Sequence, residues 1–299
     1  MSQFQQFLIA ACLLISQSSS LAKILIITPV YNRPDFIEMQ DRTFKRFLKD
    51  EYIFRVFNDA SDPKMQQQIE QTCANLGIEC TRMPQELHNV DPMCKKAPAS
   101  FRHGEVVQYA FETVGFKHDD IVMLIDSDIF LIHDFSVRQF FQDYDLYTVF
   151  NFTVLPQLAF FNMPKLPHPE KLNFHAGYQN NNLTDVGHRT IEYTRAYPEL
   201  KLKISNLLWG LERMNLNEKA DLTPQLAQRG FTVDEINLIK AIFKLGRSTK
   251  NMFDADISFF EHNIFLDYKH GTGWHGASAK VIKQKNILIR DFIDKVTNS

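Results

Sequence analysis

The sequence predicts an α/β protein with an open, mostly parallel, twisted sheet flanked by helices. Apolar strand-like runs alternate with amphipathic helix-like stretches through the first half of the chain. Those runs are unbroken rather than alternating, as strands buried on both faces are. They also stop in polar residues, at 28–33, 58–62 and 126–128, and ligands of open α/β sheets lie outside the carboxyl ends of the strands.

Residues 23–30 (KILIITPV) form the first such run, and Tyr31, Asn32, Arg33 and Pro34 give a turn signal. Phe36, Phe44, Phe47 and Leu48 then recur near one face of a helical stretch. Residues 54–57 predict a second strand, 64–76 a helix stopped by Gly77, and 79–82 a third strand. Residues 84–100, rich in Pro and polar groups, predict an ordered loop, followed by a helix over 105–113. Residues 121–125 (IVMLI) are a fourth buried strand running directly into Asp126. Beyond about residue 150 the pattern is less regular. A strand-like 146–150 leads to a Pro- and Asn-rich region at 156–185, helical segments near 190–245 and a turn-rich end. This part reads as the second half of one fold, giving a division into 1–22, 23–150 and 151–299.

The chain has 299 residues, 44% hydrophobic, ample for a core. Its formal charge of -2 gives no footing for nucleic acid or an anionic membrane surface. Residues 7–15 are an apolar run followed by serines and Leu21-Ala22, resembling a secretory signal with a small-residue cleavage site. No Lys or Arg precedes it, and it is shorter than a span of about 20 residues. Export or anchoring, with weak membrane association through the N-terminus, is favoured over a cytoplasmic location. Cys73, Cys80 and Cys94 show no metal spacing; their role is packing, with a Cys73–Cys80 or Cys80–Cys94 bridge open if the chain is exported.

Asp126-Ser127-Asp128 is the sharpest chemical feature. On an extended segment the two carboxylates point to one side and Ser127 away, so both can bind one hard cation, Mg2+ or Mn2+. A run such as 121–125 ending in two acids distinguishes this pair from a solvated turn.

Together, Thr28-Pro29-Val30-Tyr31-Asn32-Arg33, the strand-end Asp59 and the strand closing on Asp126-x-Asp128 resemble the nucleotide-sugar-binding half of glycosyltransferases of the GT-A fold. The resemblance covers residues 23 to about 135 and extends loosely to 275. It implies that residues 23–150 bind a UDP- or GDP-sugar and 151–299 face an acceptor, whether glycan, protein or lipid. Thr28, Pro29 and Tyr31 would border the base, Arg33 approach phosphate, Asp59 bind base or ribose, and Asp126 and Asp128 hold Mn2+ or Mg2+ against the diphosphate. His103 and Glu105 occupy a stretch that contacts diphosphate in similar enzymes, though a role in the first turn of a helix fits them equally.

Such enzymes draw a further ligand from a late loop. Here Lys269 could offset diphosphate charge and His270 complete the metal shell, loosely matching a His followed by Gly271 and Trp274; Asp267 and His275 stay in play because the spacing departs from familiar patterns. An inverting transfer needs a carboxylate to take the acceptor proton, and Asp254 and Asp256 are the candidates. Phe160, Phe161, Asn162 and Met163, then residues 166–169, could shape an acceptor pocket or simply fill core. The rivals are an inactive GT-A-like binding module and, more distantly, a sugar-phosphate nucleotidyltransferase, whose basic glycine-rich opening turn residues 29–34 lack. Neighbouring acids do not suit a glycoside hydrolase, whose carboxyls stand about 5–9.5 Å apart across the sugar.

Overall fold

The computed structural model describes residues 23–89, 98–148, 153–179, 182–205, 223–245, 257–269 and 278–299. The leader-like residues 1–22, Cys94, Asp254, Asp256, His270 and His275 lie outside the described residues.

Four parallel strands form the frame: β1 (Ile24–Val30), β2 (Tyr52–Asn58), β3 (Glu79–Arg82) and β4 (Ile121–Ile125). β1 is central and wholly buried, and its side chains divide by parity, as a pleated strand requires. Ile24 and Ile26 pack on one face with Met123 and Ile125, whereas Leu25 and Ile27 pack on the other with Val122 and Leu124. Helices α1 (Pro34–Phe47) and α2 (Pro63–Leu76) cover the first face through Ile37, Phe44, Ile69 and Cys73. Helix α3 (Pro98–Thr113) covers the second through Val106, Val107, Ala110 and Phe111. Asp62 caps α2, and Gly77 ends it in the left-handed region at φ 71°.

The short strand β5 (Ile129–Leu131) follows the Asp126 turn, and helix α4 (Val137–Phe141) leads to β6 (Leu146–Thr148). β7 (Leu158–Asn162) inserts antiparallel between β4 and β6. After two-residue strands β8 (Tyr178–Gln179) and β9 (Asn182–Leu183) and helix α5 (Thr190–Ala196), β10 (Leu202–Ile204) joins β6 in parallel. The seven-stranded order is β10-β6-β7-β4-β1-β2-β3, with β7 alone reversed. The sheet is thus mostly parallel, as the sequence predicts, and strands from both sides of residue 150 share it.

A third apolar cluster joins α6 (Thr223–Gln228), α7 (Val233–Lys244), β11 (Ser258–Phe260), β12 (Phe265–Asp267) and α8 (Ala279–Asn298). Its residues Ile239, Phe259, Leu266 and Ile293 pack with Phe36 and Met39 of α1. β12 also pairs with β5 directly beyond Asp128.

Several sequence expectations are corrected. The chain ends in a 20-residue helix, not in turns, because Ile289, Phe292 and Ile293 give α8 a buried stripe. Helix α3 starts at Pro98, seven residues before the expected start, and absorbs part of the predicted loop. Of the two readings of Phe160 and Phe161, core is the one found: both are fully buried in β7, on opposite faces of the sheet, and Leu166 is also buried. No described helix is long and apolar enough to cross a membrane.

Candidate functional site

The carboxyl ends of β1, β2 and β4 open into one cavity of about 210 Å3. Pro29, Val30 and Tyr31 line it after β1, Asp59 after β2, and Asp126, Ser127 and Asp128 after β4. Ala99, Ser100, Arg102 and His103, from the first turns of α3, close one wall, and Gln157, Asp185 and Val186 contribute from the second half.

The acid pair sits on a clamped turn. Residues 126–128 are not extended, and Ile129 N–H donates back to Asp126 O at 3.1 Å. The extended geometry expected of this segment is therefore replaced by a turn, and all three residues border the cavity. Gln40, buried in α1, donates its amide to Asp126 O at 2.8 Å and Ile129 O at 2.9 Å. Asp126 N–H donates to Gln157 O at 2.8 Å, and Tyr268 N–H to Asp128 O at 2.9 Å. The turn is thereby tied to α1, to the approach to β7 and to the end of β12. Thr28 lies a layer beneath, fully buried, with its hydroxyl on Ile125 O at 3.1 Å; it steadies the sheet edge and is not among the cavity residues.

Three carboxyls crowd this turn electrostatically. Removal from water, then the charges of Asp267 and Asp126, push Asp128 well above the usual carboxylate range. Burial likewise pushes Asp267, at the end of β12, up to about 6, against the opposing pull of Lys269 and of the Ser258 hydroxyl 2.7 Å away. Asp126 Oδ1 is buried without a hydrogen bond. His103 Nε2 lies 3.1 Å from it, an ion-pair distance outside hydrogen-bonding geometry. Burial alone would lower the pKa of His103, but Asp126, Asp185 and Asp59 together outweigh it and raise it. An orphaned carboxylate oxygen beside further acids fits a hard cation. Among the described residues, no three His, Cys, Asp or Glu side chains are placed to share one.

Asp59 is held firmly. His88 Nε2 lies 2.5 Å from its Oδ1, and Arg102 donates to Oδ1 at 3.1 Å and to its backbone carbonyl at 2.9 Å. The same guanidinium stands 5.4 Å above the Tyr31 ring, and its Nε is buried without a partner. An aromatic face, a fixed carboxylate and a guanidinium thus converge at the β1–β2 end of the cavity.

Arg33 is drawn away from this end. Its guanidinium makes paired 2.9 Å bonds to Asp35 and lies 3.4 Å over the Phe36 ring. Burial would raise Asp35, but Arg33 and Arg290 hold it below the usual carboxylate range. Arg33 still eases the charge on Asp128, although it is not among the cavity residues. Lys269, two residues beyond Asp267, is also off the cavity wall, and its charge acts on Asp267.

Sequence reasoning missed Gln40, His88, Arg102, Gln157 and Asp185. Of these, only Arg102 carries a signal in the sequence, its place beside His103 in the polar stretch ahead of the apolar helix.

No family model and no curated protein sequence matches the chain. Among solved structures it is similar to glucosyl-3-phosphoglycerate synthase from Mycobacterium tuberculosis, at 15% identity and a TM-score of 0.31, over 49% of this chain and 59% of that one. It is also similar to a mannosyltransferase from Pyrobaculum calidifontis in complex with GDP-Man and Mn2+, at 12% identity and a TM-score of 0.40, over 61% and 54%. A third is the galactosyltransferase LgtC, at 13% identity and a TM-score of 0.32, over 48% and 59%. The chain spans less than two thirds of the length of each of these proteins.

Proposed function

We propose that the chain is a metal-dependent glycosyltransferase, moving a sugar from a UDP- or GDP-sugar to an acceptor hydroxyl. The observation that carries this reading is the buried, unbonded Asp126 Oδ1 beside Asp128 at the strand ends. Acids kept this close without a full set of donors are costly unless a cation joins them.

In this reading Asp126 and Asp128 hold Mn2+ or Mg2+, which supplies counter-charge for a departing diphosphate. Tyr31 offers a face to the base, and Asp59, fixed by His88 and Arg102, accepts from base or ribose hydroxyls. Arg102 and the opening turns of α3 supply positive potential along the diphosphate. Gln40 keeps the Asp126 turn in place, so the site needs little reorganisation on binding. Asp254 or Asp256 as base, and Lys269 and His270 as late-loop contributors, complete the proposal.

One observation favours a second reading, an inactive binding module: the His103 imidazole already stands 3.1 Å from the Asp126 carboxylate. Nucleoside diphosphate release from a panel of UDP- and GDP-sugars, followed by mass spectrometry with Mn2+ or with chelator, separates the two. Metal-dependent release abolished in Asp128→Asn supports the transferase. Donor binding with no release on any acceptor class supports the module.

A further inference from the structure

Two polar side chains of the cavity are left unused by the diphosphate, the base and the cation. Gln157, just before β7, gives its backbone carbonyl to Asp126, while its side-chain amide has no partner among the described residues. Asp185, in the turn before α5, accepts at Oδ1 from Ser100 Oγ at 2.7 Å and from Val186 N–H at 2.8 Å. Its Oδ2 takes no hydrogen bond among the described residues.

Asp185 is exposed, yet its backbone is tightly framed. Thr184 N–H donates to Gly177 O at 2.9 Å and Gly187 N–H to Phe174 O at 2.7 Å. The Thr190 hydroxyl donates to Gly187 O at 2.6 Å and accepts from Val154 N–H at 2.7 Å. Gly187 has φ +79°, and a Cβ there would stand 2.1 Å from Val154 O, so only glycine lets the turn sit this close. A carboxylate held at a cavity wall by so rigid a turn is preorganised for a ligand.

The chemistry of the two groups narrows that ligand. A carboxylate repels phosphate and accepts hydrogen bonds; a primary amide both donates and accepts. Together they match groups that also donate and accept, namely vicinal hydroxyls. Their place fits as well, because Gln157 is bonded through its backbone to Asp126 and so stands next to the diphosphate position.

We propose that Asp185 and Gln157 form a sugar-hydroxyl subsite that selects the transferred sugar of the donor. The inference rests on the donor-binding function proposed above.

Calorimetric titration tests it in Mn2+ with UDP, UDP-glucose, UDP-galactose, GDP and GDP-mannose, on the unaltered chain and on Asp185→Asn, Asp185→Ala and Gln157→Ala. The expected result is a sugar nucleotide whose affinity falls on the order of tenfold or more in Asp185→Ala and Gln157→Ala, the scale of a lost charged or buried hydrogen bond. Affinity for the parent diphosphate should stay within about twofold, which also shows that the variants are folded. Asp185→Asn, which keeps an acceptor for Ser100 and Val186, should still lose sugar-nucleotide affinity. Sugar-nucleotide and diphosphate affinities that move together in every variant overturn the subsite while leaving the donor site standing. Failure of the unaltered chain to bind any of the five removes the donor site, and the subsite with it.

Discussion

Replacing Asp267 by Asn should stabilise the metal-free protein at neutral pH while leaving it little changed in acid. Burial lifts this carboxyl from an ordinary 3.8 to about 6 in the folded chain, so the folded state keeps a proton that the unfolded state has lost. The folded pKa lies above the unfolded one, and stability therefore falls as pH rises through the window from about 4 to about 6. The separation corresponds to about 3 kcal/mol, fully expressed above pH 6 and absent below pH 4. Asn keeps the shape and an oxygen for the Ser258 hydroxyl, so the substitution removes mainly the charge. Neutralising Asp267 also relieves Asp128, which feels the same repulsion. Urea unfolding in chelator at several pH values between 4 and 7 measures the effect. The stability of Asp267→Asn relative to the unaltered chain should grow by about 3 kcal/mol across that range, and Mn2+ should shrink the difference at pH 7. A difference that stays flat with pH, or that narrows as pH rises, refutes the crowding of charge at this turn.

Arg102→Ala removes the guanidinium over Tyr31 and two bonds to Asp59, so diphosphate affinity should fall more than tenfold by calorimetry, with about 1–3 kcal/mol lost in urea unfolding. Gly77 and Gly187 both take positive φ, but a Cβ meets nothing within 4 Å at Gly77 and a carbonyl at 2.1 Å at Gly187. Gly77→Ala should cost about 1 kcal/mol by thermal unfolding, and Gly187→Ala distinctly more; equal costs would contradict the close approach to Val154.

The parts of the fold legible in the sequence were those where one segment states its own burial. The run 121–125 is apolar at every position because both faces of the sheet are covered, and its sudden end in Asp126 marked the edge of the cavity. Asp59 and Tyr31 were legible for the same reason, each following a buried strand. What escaped depends on contacts distant in sequence. Gln40 looks like a solvated helix residue until α1 packs under the Asp126 turn. Arg102 escaped because it stands in the first turns of α3, ahead of the apolar stretch that marks the helix in the sequence, and shows its role only where those turns meet the cavity. β7 was hidden because consecutive aromatics that read as core do not declare a strand, and only pairing with β4 and β6 assigns one. Residues 126–128 were read as extended because strand alternation was carried one step too far, into a turn.

The most direct test of the central claim is a thermal-shift titration with UDP and GDP, in Mn2+ or in chelator, on the unaltered chain and on Asp126→Ala/Asp128→Ala. A ligand confined to the folded state stabilises it by roughly 2.7 kcal/mol at a hundredfold excess over its dissociation constant. The expected result is a shift with one of the diphosphates that requires Mn2+ and vanishes in the double variant. No shift with either diphosphate in a folded sample containing Mn2+, or a shift that survives loss of both carboxylates, would contradict a metal-bridged donor site at the end of β4.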